Sequence, residues 1–60
     1  MDELRQRLKE FHEEEGVSYK NIAKNIGVST GVLYNFTSEI RGLRAKPAQA
    51  LDLYLKEKGY

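Results

Sequence analysis

The sequence predicts an all-α fold, a compact domain of four short helices, and three observations carry that prediction. Apolar residues recur at helical spacing, as in Leu4, Leu8 and Phe11 or Leu33, Phe36 and Ile40. Gly16 and Gly27 are each followed two residues on by a serine, the mark of one helix ending and the next beginning. The chain has 60 residues and no cysteine. A chain this short buries only about 60% of its unfolded surface. Neither a disulfide framework nor a thiolate metal site can staple it. It reads as a single domain over residues 1–60.

The elements follow in order. Asp2 suits the N-cap of a helix over residues 2–15, with Leu4, Leu8 and Phe11 on its inner stripe and Gly16 stopping it. The glutamates at 13–15 stand against the dipole of that helix, which points to a use for the acidic patch beyond stability. Ser18 caps a short second helix over 18–26, whose inward residues are Ile22, Ala23 and Ile26. Gly27 ends it, and Val28 plugs the turn. Ser29 caps a third helix over 29–40 with Leu33, Phe36 and Ile40 on one stripe. Gly42 marks a loop carrying Arg41, Arg44 and Lys46. Pro47 fits the first position of a fourth helix over 47–58. On that helix Leu51, Tyr54 and Leu55 form one face, and Leu53 projects elsewhere beside Ala50 and Glu57.

The net charge of +1 hides an asymmetry. Residues 1–15 set Arg5, Arg7 and Lys9 against six acids, a balance of −3. Residues 16–46 set Lys20, Lys24, Arg41, Arg44 and Lys46 against Glu39 alone, a balance of +4, and the rest is neutral. Such a molecule presents one face to a polyanion while its other end is repelled. Arg5 and Lys9 beside Glu10 and Glu14 read as a solvated face.

Residues 19–38 read YKNIAKNIGVSTGVLYNFTS. Ala23 is small where a second helix crosses closely, Gly27 four residues on permits a positive φ in a tight turn, and Leu33 and Phe36 pack the next helix back on Ile22 and Ile26. Two short helices joined by a turn of three or four residues with glycine make a helix-turn-helix. The segment resembles that of the lambda-repressor-like family, phage repressors and xenobiotic-response-type regulators, with Ala23, Gly27 and Leu33 in the family's small, glycine and aliphatic places. Gly16-Val17-Ser18 resembles the family's usual entry to its second helix. The likeness covers about residues 4–55. More loosely, the run from 18 to 31 with Phe36 and the late pair Tyr54-Leu55 is similar to the N-terminal domain of phage target-selecting transposition ATPases. The family usually carries a fifth helix, and this sequence predicts four.

In helix-turn-helix geometry the third helix enters the major groove with its N-terminal residues toward base edges. Its outward polar residues Ser29, Thr30, Tyr34, Asn35 and Ser38 are then the base-contacting set, with Gly31 permitting close backbone approach. Asn35 suits adenine, through N6 and N7, and Thr30 suits a base edge or a thymine methyl. Ser29 is first of all a helix cap. Lys20, Lys24, Arg41, Arg44 and Lys46 form the phosphate-contacting set, because phosphate contacts position the protein and dominate affinity. The expected partner is double-stranded DNA, engaged as a homodimer or within a larger parent chain. Leu53, Ala50 and Tyr60 are candidates for a partner surface.

Other chemistry finds no support in the residues. His12 is the one histidine and sits in an acidic helix, so it reads as a surface or half-buried side chain rather than a metal ligand or a catalytic base. No Gly-rich phosphate loop is present. The sequence therefore predicts no enzyme, no cofactor, no metal and no small-molecule ligand. No apolar run reaches the roughly 20 residues of a membrane span. A cytoplasmic regulator or transposition protein of a prokaryote or phage is the expected setting. The alternative is a protein–protein interaction module on the same fold, since fold alone does not imply function.

Overall fold

A computed structural model describes residues 2–60. It is all-helical: α1 spans Asp2–Glu15, α2 Tyr19–Ile26, α3 Thr30–Thr37 and α4 Ala45–Glu57. The Cα atoms extend 24 × 21 × 18 Å. Both α1 and α2 pack against α3 and α4, so each of the first two helices bridges the last two. One core joins them: Leu8 and Phe11 from α1, Ile22 and Ala23 from α2, Leu33 and Phe36 from α3, Leu51 and Leu55 from α4, and Leu43 from the loop. Fully burying one such side chain is worth about 1.5–3 kcal/mol, so no helix of this small chain is dispensable. No described helix is long and apolar enough to cross a membrane.

The helix ends explain where the elements stop. Gly16 (φ 68) closes α1, its N–H reaching the His12 carbonyl at 3.1 Å. Ser18 opens α2 by accepting from the Asn21 N–H at 3.1 Å, and Gly27 (φ 79) closes it. Ser29 opens α3 in the same way, accepting from the Val32 N–H at 3.2 Å. Serine oxygens thus satisfy donors that the first turn leaves unpaired.

Two boundaries depart from the sequence reading. The third helix stops at Thr37 rather than reaching 40, because Glu39 adopts a left-handed conformation at φ 63. The Glu39 N–H then returns to the Phe36 carbonyl at 3.2 Å and the Ile40 N–H to the Asn35 carbonyl at 2.9 Å. That paired closure is a Schellman motif. It throws Ile40 out of the stripe, 69% exposed, and Leu43 takes the core place instead. The fourth helix begins at Ala45, so Pro47 stands at its third position rather than its first, and Lys46 lies within the helix rather than in the loop. The proline breaks nothing there. The first four N–H groups of a helix have no partner, and the ladder starts with Ala48 donating to Arg44 at 2.9 Å.

Two arginines of α1 are anchors, and one of them, Arg5, departs in this from the solvated face that the sequence suggests. Arg5 donates from Nε to the Phe36 carbonyl at 2.5 Å, pairs with Asp2 at 2.7 Å and lays its guanidinium 4.6 Å from the centre of the Phe36 ring. It places a cation at the C-terminal end of α3, where the dipole favours one. Arg7 donates to Asp52 at 2.6 Å and to the Tyr60 carbonyl at 2.9 Å, tying α1 to α4. Tyr60 likewise folds inward rather than offering a partner surface. Its ring meets Phe11 edge-on at 5.2 Å, and its hydroxyl lies 2.8 Å from Glu14 and 2.9 Å from Glu15. The acidic end of α1 is thereby tethered to the end of α4.

Candidate functional site

Val28 and Ser29 of the α2–α3 turn, one side of α3 and the loop into α4 enclose a groove. Its volume is about 400 Å³. Four of the residues singled out from sequence line it together: Ser29 and Asn35 from the α3 side, Arg41 and Arg44 from the loop side. Val28, Val32, Leu43 and Pro47 supply an apolar floor and wall. The loop is held against α3 by the Asn35 carbonyl, which accepts from both Ile40 and Arg41 (2.9 and 3.2 Å). The closure that shortens α3 is therefore what brings Arg41 alongside it. The Asn35 side chain is half-buried and forms no hydrogen bond among the described residues.

The other predicted residues lie outside the groove. Thr30 and Tyr34, four apart on α3, share its opposite flank, and Tyr34 is 54% exposed. Ser38 caps the C-terminal end of α3, the end far from Ser29. Lys20 and Lys24 share the exposed side of α2, while the neighbouring Asn21 and Asn25 line a shallower hollow with Phe11, Tyr54 and Lys58. Lys46 stands exposed in the first turn of α4.

Electrostatics separate these cations from the rest. The ion pairs among the described residues use Arg5, Arg7 and Lys56. Lys20, Lys24, Arg41, Arg44 and Lys46 are all exposed, and among the described residues none takes part in an ion pair or side-chain hydrogen bond; Lys9, half-buried, and Lys58, over the Tyr54 ring, are likewise outside the ion pairs. No acid stands in the first turn of α2, α3 or α4, so the positive ends of three helix dipoles are left uncompensated. The acids gather on α1 and on the far part of α4, with Glu39 the exception.

An aromatic line crosses from α1 to α3. His12 stacks on Tyr19 at 4.0 Å, and Tyr19 meets Tyr34 edge-on at 5.5 Å. His12 is half-buried, as the sequence suggests, and its Nδ1–H donates to the Val17 carbonyl at 2.6 Å. Burial, with Glu13 and Tyr34 nearby, pushes the Tyr19 hydroxyl above the usual phenol value, so it stays a neutral hydrogen-bonding group at physiological pH. Tyr34 is thus braced from behind rather than waving free.

Sequence reasoning missed Val32, 42% exposed on the groove wall, because a lone valine outside the core stripe carries no pattern. It also missed Tyr19 as the brace for Tyr34. Gly31 has open space where a Cβ would stand, so packing does not demand a glycine there. Among the described residues no three His, Asp or Glu side chains converge as metal ligands. Comparison of the chain with protein-family models, curated proteins and solved structures found no match.

Proposed function

We propose that the chain is a DNA-binding domain of a prokaryotic or phage regulator or transposition protein, with α2 and α3 as a helix-turn-helix and α3 entering the major groove. The observation that carries this reading is the distribution of free charge. Of the six exposed cations without an ion pair among the described residues, five lie between α2 and the first turn of α4, flanking the polar Thr30, Tyr34 and Asn35 of α3, and the sixth, Lys58, lies over the Tyr54 ring beyond α4. Asn35, with an uncommitted amide, is the base reader, matched to adenine N6 and N7. Thr30 and the braced Tyr34 reach the adjoining base edge or phosphate. Ser29 and Ser38 flank the helix, and Gly31 lets the backbone approach. Lys20 and Lys24 on one side and Arg41 and Arg44 on the other contact phosphates. Lys46, exposed in the first turn of α4, extends the phosphate-facing set of the monomer.

An amide chemical-shift titration with a duplex at low salt tests the reading. Shifts should concentrate in residues 20–24 and 29–46 and fade as salt rises. Three to five phosphate contacts give a slope of about −3 to −4.5 in log affinity against log salt, at roughly −0.9 per contact. Arg41→Glu with Arg44→Glu should abolish binding without unfolding the chain, since both residues are exposed. Undiminished duplex binding by that double variant, or no shifts at millimolar DNA, sinks the proposal. The second reading, a protein-docking module, is favoured by the exposed Leu53 and would leave the double variant's partner binding intact.

A further inference from the structure

The outward face of α4 carries a pattern that the DNA reading does not use. Lys46, Ala50, Leu53 and Glu57 fall at i, i+4, i+7 and i+11, one stripe of the helix directly opposite the buried Leu51 and Leu55. Leu53 is 62% exposed at its centre, Ala50 is half-buried beside it, and both charged ends are exposed. Neither Lys46 nor Glu57 forms an ion pair among the described residues. Neither can find one on its own helix: the positions three and four residues toward the centre from each end hold Gln49, Ala50, Tyr54 and Leu53.

Both charges also stand at the wrong end of their own dipole. Lys46 is in the first turn of α4 and Glu57 at its last residue, where a cation and an anion are each disfavoured. Reversing the helix direction corrects both at once. We propose that α4 pairs antiparallel with α4 of a second copy of this chain, about a two-fold axis midway between Ala50 and Leu53. In that register Lys46 of one chain faces Glu57 of the other, twice, and each lysine sits at the negative end of the opposite helix. Each Leu53 seats over the other chain's Ala50, large against small. The contact is self-complementary, as a two-fold interface requires.

The occupant follows from that complementarity. A parallel pairing would set Lys46 against lysine and Glu57 against glutamate, and an acidic or basic partner would satisfy only one end. A helix of this length spans about 20 Å, and one helix-on-helix contact falls below the area of a standard stable interface. The association is therefore weak, with a Kd in the high-micromolar to millimolar range. It needs no DNA to form, and in the dimer Lys46 leaves the phosphate-facing set.

Sedimentation equilibrium of the full chain, from micromolar to millimolar concentration, reads the dimer directly. The wild type should associate with rising concentration. Leu53→Asp should remain monomeric with an unchanged helical circular dichroism spectrum, because the residue is not in the core. Lys46→Glu alone and Glu57→Lys alone should each weaken association on the order of tenfold, since two attractive pairs become repulsive. The double variant Lys46→Glu with Glu57→Lys should recover wild-type association to within a few-fold. A wild type that is monomeric at millimolar concentration overturns the proposal. So does a dimer that survives Leu53→Asp, or one that the double reversal fails to recover.

Discussion

Gly31 stands in the first turn of α3 with nothing near the place of its missing Cβ. A glycine inside a helix costs about 1 kcal/mol relative to alanine, so the fold carries a penalty there that packing does not demand. Gly31→Ala should raise stability by about 0.5–1 kcal/mol, read as a higher urea midpoint with an unchanged slope. If α3 approaches DNA through its backbone, the same substitution should weaken duplex binding; equal or tighter binding would remove Gly31 from the interface. Residues of this kind are legible in a sequence because glycine has few reasons to be in a helix. Arg5 and Arg7 are not. Arg5 reads as part of a solvated face and nothing singles out Arg7, yet they cap the end of α3 and clamp α4, and the partners are main-chain oxygens of Phe36 and Tyr60 that no residue pattern advertises. The groove side chains Asn35 and Arg41 were each visible singly. Their meeting depends on a turn that was not.

That turn is the lesson at the scale of elements. Helices α1 and α2 follow the sequence reading because glycine and serine punctuate them, and each signal acts through local geometry. The end of α3 has no such signal. A glutamate occupies the left-handed position that glycine usually holds, at φ 63, and the apolar spacing through Ile40 invites the helix to continue. A non-glycine residue in that conformation costs about 1–2 kcal/mol. Glu39→Gly should relieve part of it, stabilising the chain by about 0.5–1 kcal/mol in equilibrium denaturation. A loss of stability instead would show that the glutamate side chain contributes more than its backbone costs. The start of α4 misled for the opposite reason. Pro47 is tolerated anywhere in the first turn, so it marks the helix without setting its first residue.

For the molecule as a whole, stability against pH reports on the junction of α1 with α4. The hydrogen bond from Arg7, helped by Lys56, holds the Asp52 carboxyl below the usual carboxylate value. Its folded pKa lies below its unfolded one. The contribution is therefore present at neutral pH and lost as pH falls through and below the ordinary carboxylate range. Tyr60 behaves in the opposite sense. Its hydroxyl donates to the carboxylates of Glu14 and Glu15, which raises its pKa well above the usual phenol value. That contribution is present up to about pH 10, the ordinary phenol value, and fades as pH climbs beyond it. Thermal midpoints followed across pH should show both limbs. Asp52→Asn should flatten the acid one, and Tyr60→Phe the alkaline one while keeping the ring on Phe11. Persistence of either limb in its variant would place the titrating group elsewhere. The same junction sets a timetable. Most residue contacts here are close in sequence, and chains dominated by local contacts cross their folding barrier on the order of microseconds to milliseconds. The clasp of Arg7 on Asp52 and Tyr60 closes the longest loop in the molecule and has the most chain entropy to overcome. If it closes after the barrier, Asp52→Asn should speed unfolding and leave the folding rate almost unchanged in stopped-flow kinetics, the two ends of the chain then governing how long a folded molecule lasts; a slowed folding rate would place the clasp before the barrier.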